Sequence, residues 1–379
     1  MKIMYLVDNN LGTVGGEQES TKIIIKGMIA NGVDVSVVQP GAHDESIPKS
    51  SQVYLVKDDR LKKVFKNPLL FIYYFFRVFG CVRSFDPRVI HTQAQVSFFI
   101  ISLGRMLKLV PKHIVFIHTE RGIYTKYNAF FRLAFMFFMR QLNALVCTTE
   151  ANKDMWSEAL SRLNRDIDIS VIHNTAGASY ISSGEKSFDD NVLALGFAGR
   201  YCDWKNWPLA EEVLCSLFTK TPKLQANMAI GCLDQSSLDS TQAMFCRLKA
   251  LMGDKFDGVI NMPSSKMIDF YKNIDFFILT SWPGAESFGR TVVEAMSFGC
   301  VVFVTEGGGP PEVIGDPYFV FKDIDELVEK ILTISRNKSL ALTISEKNIN
   351  RAHGYYSLSS NIQRHLDLYG LGGYEKYCS

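Results

Sequence analysis

The feature that most restricts the fold is a strand, turn and helix pattern in the second half of the chain. The run Asp275–Thr280 (DFFILT) has the length and apolar content of a buried parallel strand. Thr291–Phe298 has helical spacing, and Gly299 ends this predicted helix. Such units build open α/β sheets, which bind ligands at the carboxyl ends of their strands.

Two glutamates with seven residues between them lie in this segment, Glu286 in the turn and Glu294 inside the helix. Ser287, Phe288 and Gly289 would present backbone N–H groups at the helix start, where unpaired donors and the helix dipole favour anionic oxygens. The Glu294 carboxylate could accept hydrogen bonds from two neighbouring hydroxyls. A sugar nucleotide carries both kinds of group. The alternative is that the glutamates only cap the helix and complement its dipole.

A candidate phosphate site follows another predicted strand, Val192–Phe197. Arg200 and Lys205 flank a turn just before a helix that begins near Pro208. Two such cations would offset the charge of a diphosphate and stabilise it as a leaving group. The alternative is a surface ion-pair network.

The chain opens with a Rossmann-like pattern of strand, glycine turn, helix and strand. Lys2–Val7 is followed by the turn GTVGG, by the helical stretch Glu17–Ala30 and by a second strand from Val33. The dinucleotide fingerprint Gly-x-Gly-x-x-Gly is absent from this turn. Gly15 and Gly16 would let a ligand approach the backbone, or they serve only to form the turn.

Composition sets broad limits on organisation and location. The chain has 379 residues, 47% of them apolar, which is enough for two domains. Its 41 basic and 39 acidic residues nearly cancel and give no sign of a nucleic-acid partner. The eight cysteines form no Cys-x-x-Cys pair, so reduced thiols and a cytoplasmic location are expected. Asp8 interrupts the first apolar run, which predicts a strand rather than a secretory signal.

Two segments of the first half, residues 57–88 and 127–140, mix basic and aromatic residues. They suit the surface of an anionic bilayer, where each nearby Lys or Arg contributes about 1 kcal/mol. The alternative is that they are Rossmann helices with strongly apolar core faces. Pro68–Phe79 contains Arg77 and is too short to span a bilayer, so a soluble or peripheral protein is expected.

Further predicted strands end in polar residues. His91 and His118 end two strands of the first half, where each histidine is a ligand candidate or a hydrogen-bonded structural residue. In the second half, the strand Val259–Pro263 contains Asn261 and Met262, and Met262 is also a candidate for core packing. The pairs of aspartates at 166 and 168 and at 323 and 325 fall in a turn and at a helix start, so no metal site is expected.

Together these motifs resemble the retaining GT-B glycosyltransferases of family GT4. The resemblance rests on the two glutamates, on the segment GGGPPE at 307–312 and on the pattern from Gly199 to Asn206. It implies two Rossmann-like α/β domains that face each other across a cleft. The expected domains are residues 1–179 and 191–354, with a linker at 180–190 and a C-terminal helix at 355–379 that returns to the first domain.

The resemblance also implies roles for single residues. Four would be catalytic: Glu286 on the sugar hydroxyls, His118 on the sugar, and Arg200 and Lys205 on the diphosphate. The implied donor-binding residues are Gly15, Gly16, Asn261, Met262, Ser287, Phe288, Gly289 and Glu294, with Asn261 and Met262 at the nucleobase and Glu294 at the ribose. Neither a metal nor a cofactor is implied. The chain departs from the family at 173–177, where only Asn174 stays in register.

The implied reaction is transfer of a hexose from a nucleotide-diphosphate sugar, with a UDP-sugar favoured, to a hydroxyl with retention at the anomeric carbon. A glycan or lipid-linked acceptor of cell-envelope polysaccharide or lipopolysaccharide synthesis is expected, at the inner face of the membrane. Two alternatives stay open: a nucleotide-sugar epimerase of the same fold, and a non-catalytic subunit that binds nucleotide sugars.

Overall fold

A computed structural model of the chain describes residues 1–13, 15–64, 66–163, 167–180 and 186–370. The chain divides into two compact units. The first contains Met1–His173 and the chain from Ser359 onward, and the second contains Asn174–Leu358. Within the described residues each unit has one parallel sheet flanked by helices, so the predicted fold class of two Rossmann-like α/β domains is confirmed.

The sheet of the first unit has seven strands among the described residues, all parallel, in the order β3-β2-β1-β4-β5-β6-β7. The strands are β1 (Lys2–Leu6), β2 (Asp34–Gln39), β3 (Gln52–Tyr54), β4 (Val89–Thr92), β5 (Val115–Glu120), β6 (Ala144–Cys147) and β7 (Asp168–Val171). The helices before the second unit are α1 (Gly16–Ala30), α2 (Leu61–Val64), α3 (Pro68–Phe85), α4 (Gln95–Met106), α5 (Ala129–Met139) and α6 (Glu150–Leu160). Most of these strands are buried and apolar, as expected of a parallel sheet with both faces covered.

The sheet of the second unit has six parallel strands among the described residues, in the order β10-β9-β8-β11-β12-β13. They are β8 (Leu193–Arg200), β9 (Leu224–Gly231), β10 (Phe256–Ile260), β11 (Phe276–Leu279), β12 (Val301–Thr305) and β13 (Val320–Phe321). The helices of this unit are α7 (Trp207–Lys220), α8 (Gln235–Met252), α9 (Ser264–Lys272), α10 (Arg290–Ser297), α11 (Pro310–Ile314), α12 (Ile324–Ser335) and α13 (Lys338–Tyr355). The predicted helix after the turn, Thr291–Phe298, therefore corresponds to α10.

The strand order reverses direction once in each sheet, between β1 and β4 in the first and between β8 and β11 in the second. Ligands of open α/β sheets bind outside the carboxyl ends of the strands at such a point. Arg200 is the last residue of β8, and the loops that follow β8 and β11 carry Lys205 and Glu286. The topology thus brings these three predicted residues to one edge of the second sheet.

The segment between the two units packs with the second one. Ala176, Tyr180 and Phe188 are buried in its core, so the boundary between the units falls at His173–Asn174. This lies upstream of the linker predicted at 180–190, of which residues 181–185 lie outside the described residues. The boundary differs from the predicted one because the apolar side chains of this polar segment are buried in the second core. Their burial stabilises the packing of the segment on that unit.

The last helix, α14 (Leu358–Leu368), packs on the first unit. The Tyr369 hydroxyl just beyond it lies 2.6 Å from His91 Nδ1 and 2.9 Å from the Tyr5 hydroxyl, and all three residues are buried. His91 Nε2 lies 2.7 Å from Thr119 Oγ1. Both ring nitrogens of His91 therefore have protein partners, which is the structural alternative predicted for this histidine.

Helix α3 is longer than the sequence predicted. It begins at Pro68, where Asn67 is the N-cap residue and accepts backbone hydrogen bonds, and it continues through Arg77 to Phe85. Among the described residues it is the one helix with the length and composition of a membrane span, with a mean hydropathy of 1.3, so the prediction that this segment is too short was wrong. One side of the helix, including Tyr74, Val78 and Val82, is buried in the core of the first unit.

The histidines buried beside α14 give the fold a pH dependence. Burial lowers the pKa of His365 to about 4, and burial together with the neighbouring His365 and Arg121 lowers the pKa of His91 well below its usual value. Between pH 6.5 and about 4 the unfolded chain binds protons that the folded chain does not. The free energy of unfolding should therefore decrease as the pH falls through this window, by about 3 kcal/mol for His365 alone.

Urea unfolding between pH 7 and pH 4 measures this effect. The substitution His365→Gln should make the stability less dependent on pH, whereas His113→Gln, at an exposed position, should leave the dependence unchanged. An equal slope in wild type and His365→Gln would contradict the assignment.

Candidate active site

The loops after β8 and β11 bring Lys205 and Glu286 into contact. Lys205 ends a short 3-10 turn, Asp203–Lys205, and its Nζ lies 2.6 Å from Glu286 Oε1. The side chains are 13% and 17% exposed, so the pair is largely shielded but still open to solvent. The Ser281 hydroxyl, at the end of the β11 strand segment, donates to the same Glu286 oxygen at 2.9 Å.

The surroundings of Lys205 fix its position. Its backbone carbonyl accepts a hydrogen bond from Thr280 Oγ1 at 3.0 Å, which links the loop after β8 to that after β11. Its aliphatic chain lies over Gly199, where a Cβ would come within 3.4 Å of Lys205 Cε. The guanidinium of Arg200 lies 5.5 Å from the ring centroid of Trp204. Both predicted cations are therefore at one strand end, and Lys205 is the one in contact with Glu286.

A stretch of three glycines supports the Glu286 loop from the side of β12. A Cβ on Gly308 would lie 2.4 Å from the Glu286 carbonyl oxygen, and one on Gly309 would lie 2.2 Å from the Ser287 carbonyl oxygen. Gly308 also has a φ of +71°, a conformation that side chains disfavour. The backbone N–H of Gly309 donates to the Glu286 carbonyl at 2.9 Å. These glycines are required because the two loops approach backbone to backbone.

The predicted anion site lies at the start of α10. Gly289 is the N-cap residue with φ +86°, and α10 begins at Arg290. The Phe288 side chain is buried and packs edge-on against Tyr356, so its side chain belongs to the core. Ser287 is partly buried in the same loop. The backbone N–H groups of this segment are therefore candidates for contacting a phosphate.

Glu294 is buried and already paired within the protein. Its Oε1 lies 2.9 Å from Arg290 Nε, and its Oε2 accepts a hydrogen bond from the Tyr271 hydroxyl at 2.8 Å. Burial and the charge of Glu294 raise the pKa of Tyr271 well above its usual value, so the hydroxyl remains a donor. A ribose at this position would have to share the Glu294 carboxylate with these protein partners.

Asn261 and Met262 follow β10, near the end of β9. Asn261 has φ +54°, and its Oδ1 accepts a hydrogen bond from the Cys232 backbone N–H at 2.7 Å. Its side chain thus holds two strand ends together. Met262 is partly buried against the core of the second unit, which is the packing role that the sequence analysis left open.

The remaining predicted residues belong to the first unit. Gly15 precedes α1 in an extended conformation, and a Cβ on it would meet the side chain of Gln18. A Cβ on Gly16 would have no neighbour within 4 Å. Gly16 therefore borders open space at the start of α1. Val14, which precedes Gly15, lies outside the described residues.

His118 is fully buried at the end of β5. Its Nδ1 lies 2.9 Å from Thr92 Oγ1, its Nε2 lies 3.3 Å from Glu120 Oε2, and its ring stacks on Phe98. Burial raises the pKa of Glu120, but hydrogen bonds from His118, Gly122 and Tyr127 outweigh it and the net pKa is lowered. An ionised Glu120 accepts a hydrogen bond from the Nε2–H group, so the imidazole is held by its protein partners.

Tyr271, Ser281 and Arg290 contact the predicted glutamates but were not predicted from the sequence. The spacing of Arg290 and Glu294, four residues apart in one helix, is a signal that could have indicated their ion pair. For Tyr271 the sequence pattern indicates only a position on the buried face of a helix. Among the described residues no group of three His, Cys, Asp or Glu side chains is placed to hold a metal ion, and Asp166 of the predicted turn lies outside them.

Comparison with protein families places this geometry in a known context. Residues 186–351 match the family model of the glycosyl transferases group 1, and residues 14–176 match that of Glycosyltransferase Family 4. The two matches cover both units and include Lys205, Glu286 and His118. Both units thus match family models of glycosyltransferases, and the chain is a glycosyltransferase.

Relatives of this glycosyltransferase differ in length. Sucrose synthase 2 of Tulipa gesneriana is 27% identical over 187 residues, which cover 44% of this chain and 23% of the relative. Sucrose synthase 1 of Oryza sativa subsp. japonica is 29% identical over 187 residues, with the same coverage of 44% and 23%. The chain thus spans less than a quarter of the length of these curated relatives.

Solved structures share the fold of this glycosyltransferase over nearly its whole length. Anabaena HepE in complex with UDP and glucose has a TM-score of 0.74 at 16% identity, covering 97% of this chain and 99% of that one. Sucrose-phosphate synthase from Thermosynechococcus elongatus has a TM-score of 0.77 at 14% identity, covering 97% and 98%. These likenesses identify the fold as GT-B.

Proposed function

We propose that this glycosyltransferase transfers a hexose from a UDP-sugar to a hydroxyl acceptor, with retention at the anomeric carbon and without a metal or cofactor. The observation that carries the proposal is the contact between Lys205 and Glu286 at the strand-order reversal of the second sheet. In a sugar nucleotide a phosphate lies next to sugar hydroxyls. The Lys205 ammonium would bind the phosphate, and the Glu286 carboxylate would accept hydrogen bonds from the hydroxyls. UDP is the proposed nucleotide because HepE, which has the same fold, was solved with UDP and glucose.

The leaving group would be stabilised by protein cations. The bond between the anomeric carbon and the diphosphate oxygen would break, and its electron pair would pass to the diphosphate. Lys205, Arg200 and the backbone N–H groups at the start of α10 would bind the developing charge. The acceptor hydroxyl would form the new bond on the same face of the sugar and lose its proton to the departing phosphate oxygen.

The sugar and the ribose would be bound by carboxylates. Glu286 would accept hydrogen bonds from sugar hydroxyls while retaining Lys205 as a neighbour. Glu294, held by Arg290 and Tyr271, would accept the ribose hydroxyls. Gly15, Gly16 and Asn261 keep their proposed donor roles, with Asn261 contributing through its backbone because its side chain is engaged by Cys232. Met262, which is partly buried, would meet the base with its exposed part. The proposed contact of His118 with the sugar requires that Thr92 or Glu120 release the buried imidazole.

Thermal unfolding in the presence of nucleotide sugars tests the proposal. A ligand at 100 times its Kd should stabilise the folded chain by about 2.7 kcal/mol. We expect UDP-sugars to raise Tm and the corresponding ADP- and GDP-sugars to raise it less. No shift with any nucleotide sugar would contradict the proposal.

A product assay separates the enzymatic alternatives. Donor alone yields an isomerised sugar if the protein is an epimerase, whereas the proposed transferase yields a new glycoside when an acceptor is present. A non-catalytic binding subunit yields neither product although its Tm rises.

The proposed acceptor is a glycan or lipid-linked intermediate of cell-envelope polysaccharide or lipopolysaccharide synthesis, presented at the cytoplasmic face of the membrane. Two helices of the first unit support this proposal with exposed apolar stripes. On α3 the stripe is Leu69, Ile72, Tyr73 and Phe76, which are 78%, 51%, 51% and 62% exposed. On α5 it is Phe130, Leu133 and Phe137, which are 80%, 72% and 47% exposed. These side chains do not belong to the core, because the residues that α3 and α5 bury lie at different positions of the two helices.

Arginines accompany the stripe on α5. A groove of about 640 Å³ between α5 and α6 is lined by apolar residues including Leu133 and Phe137 and by Arg132, Arg140 and Arg162. Apolar side chains beside cations match the boundary between acyl chains and anionic headgroups. We expect this face to contact an anionic bilayer.

Vesicle sedimentation tests the contact. The double substitution Leu69→Ser and Phe76→Ser should weaken binding to anionic vesicles by about tenfold or more, since each buried apolar side chain contributes about 1.5 to 3 kcal/mol. Removal of Lys62, Lys63 and Lys66 should weaken binding further and make it less dependent on salt. The control Leu251→Ser, at a 46% exposed position of the second unit, should bind as the wild type does. Equal binding by all variants would contradict a bilayer contact.

A further inference from the structure

Two exposed tryptophans lie beside the candidate active site. Trp204 belongs to the 3-10 turn after β8, and Trp282 follows Ser281 after β11. Their residues are 41% and 48% exposed. The backbone N–H of Trp282 donates to the Trp204 carbonyl at 2.8 Å, so the two positions are adjacent. The other two tryptophans of the chain, Trp156 and Trp207, are buried.

The neighbours of these tryptophans are residues of the site. Trp204 precedes Lys205, which contacts Glu286, and its ring lies 5.5 Å from the Arg200 guanidinium. Trp282 follows Ser281, whose hydroxyl donates to Glu286. Each tryptophan is therefore next in sequence to a residue that contacts the Glu286 carboxylate.

The fold does not account for the exposure of these indoles. Neither tryptophan belongs to the apolar core of the second unit as the structure describes it, and leaving a large aromatic surface in water forgoes the stabilisation of its burial. A pyranose ring has an apolar face of C–H groups and a rim of hydroxyls. An indole can cover that face while Glu286 and the nearby cations bind the rim.

We propose that Trp204 and Trp282 form a stacking surface for a pyranose ring at this site. The inference rests on the proposed function and adds to it a contact that recognises the ring itself. The ring is either that of the donor sugar or that of an acceptor saccharide, and the experiment distinguishes the two sources.

Iodide quenching of tryptophan fluorescence tests the surface in the wild-type protein. Iodide should reach Trp204 and Trp282 and not the two buried tryptophans. UDP-glucose should protect the fluorescence more than UDP does if the ring is that of the donor. If it is that of the acceptor, a saccharide acceptor added with UDP should give the protection. The double variant Trp204→Phe and Trp282→Phe should lose the iodide-sensitive signal. Identical quenching with UDP, UDP-glucose and UDP plus acceptor would overturn the proposal.

Binding and kinetics of alanine variants give a second test. Trp282→Ala and Trp204→Ala should weaken sugar recognition by about tenfold, while Trp→Phe at each position should restore most of it. A donor contact appears as a higher Kd for UDP-glucose with an unchanged Kd for UDP. An acceptor contact appears only as a higher acceptor KM. Tyr318→Ala, at a 43% exposed aromatic position of the same unit, is the control and should change neither.

Failure of this proposal can be told from failure of the proposed function. If the wild type binds and transfers the sugar but the folded alanine variants match it in every constant, only the stacking surface is wrong. If the wild type binds no nucleotide sugar, the proposed function is wrong and the stacking surface falls with it.

Discussion

Replacement of Lys205 by alanine is expected to lower kcat/KM for sugar transfer by about a hundred- to a thousandfold, the usual effect of removing one group that stabilises developing negative charge. Lys205 Nζ is 2.6 Å from Glu286 Oε1, so the substitution also leaves that carboxylate without its cation. Because Glu286 is 17% exposed and retains the Ser281 hydroxyl, water can solvate it and the fold should persist. Steady-state kinetics with a UDP-sugar and thermal unfolding measure the two effects.

The matched control is Lys220→Ala. Lys220 also pairs with a glutamate, Glu329, at 3.0 Å, but the two side chains are 37% and 65% exposed and lie away from the strand ends of the site. An exposed pair contributes about 0 to 1 kcal/mol to stability, and its loss should not change turnover. If Lys205→Ala transferred sugar as fast as Lys220→Ala, Lys205 would have no role in leaving-group stabilisation.

Gly308→Ala should produce the largest loss of stability among single substitutions near the site. Its new Cβ would lie 2.4 Å from the Glu286 carbonyl oxygen, which is backbone and cannot rotate away, and Gly308 has φ +71°. Left-handed strain of about 1 to 2 kcal/mol and overpacking of about 1 to 3 kcal/mol add to roughly 2 to 5 kcal/mol. Urea unfolding measures the loss, and transfer should also slow because the Glu286 loop must move.

Gly284→Ala separates the two causes. Gly284 has a similar φ of +67° in the partner loop, but a Cβ there would meet no atom within 4 Å. It should lose only the strain component and keep most of its activity. Equal losses in the two variants would show that backbone strain, and not the close approach of the loops, explains the glycine at 308.

The fold could be predicted from the sequence because its signals are local. Apolar runs such as Phe276–Leu279, followed by a turn and a helical pattern, specify parallel α/β units without knowledge of their neighbours. The positions of Arg200, Lys205 and Glu286 could be predicted for the same reason, because the carboxyl ends of parallel strands meet at one edge.

Side-chain partners could not be predicted, because they depend on packing between elements. The hydrogen bond from Tyr271 to Glu294 joins helices α9 and α10, and no spacing in the sequence relates the two residues. The contacts of His118 with Thr92 of β4 and Phe98 of α4 depend in the same way on separate segments. The apolar segment predicted as Pro68–Phe79 was too short for a bilayer span, whereas α3 continues to Phe85.

The boundary between the units also depended on tertiary contacts. The segment around Tyr180 is polar overall, yet Tyr180 and Phe188 are buried in the second core. The sequence also did not show whether the apolar residues of α3 and α5 face the core or the surface. An apolar helix is compatible with either environment. The structure places Leu69, Phe76, Phe130 and Leu133 on the surface.

A crystal structure of the chain with a bound, non-hydrolysable UDP-sugar would test the central claim most directly. The account predicts diphosphate oxygens within hydrogen-bond distance of Lys205 Nζ, Arg200 and the backbone at the start of α10, with sugar hydroxyls on Glu286 and the ribose at Glu294. A UDP-sugar bound at another place, with Lys205 still paired only to Glu286, would contradict it.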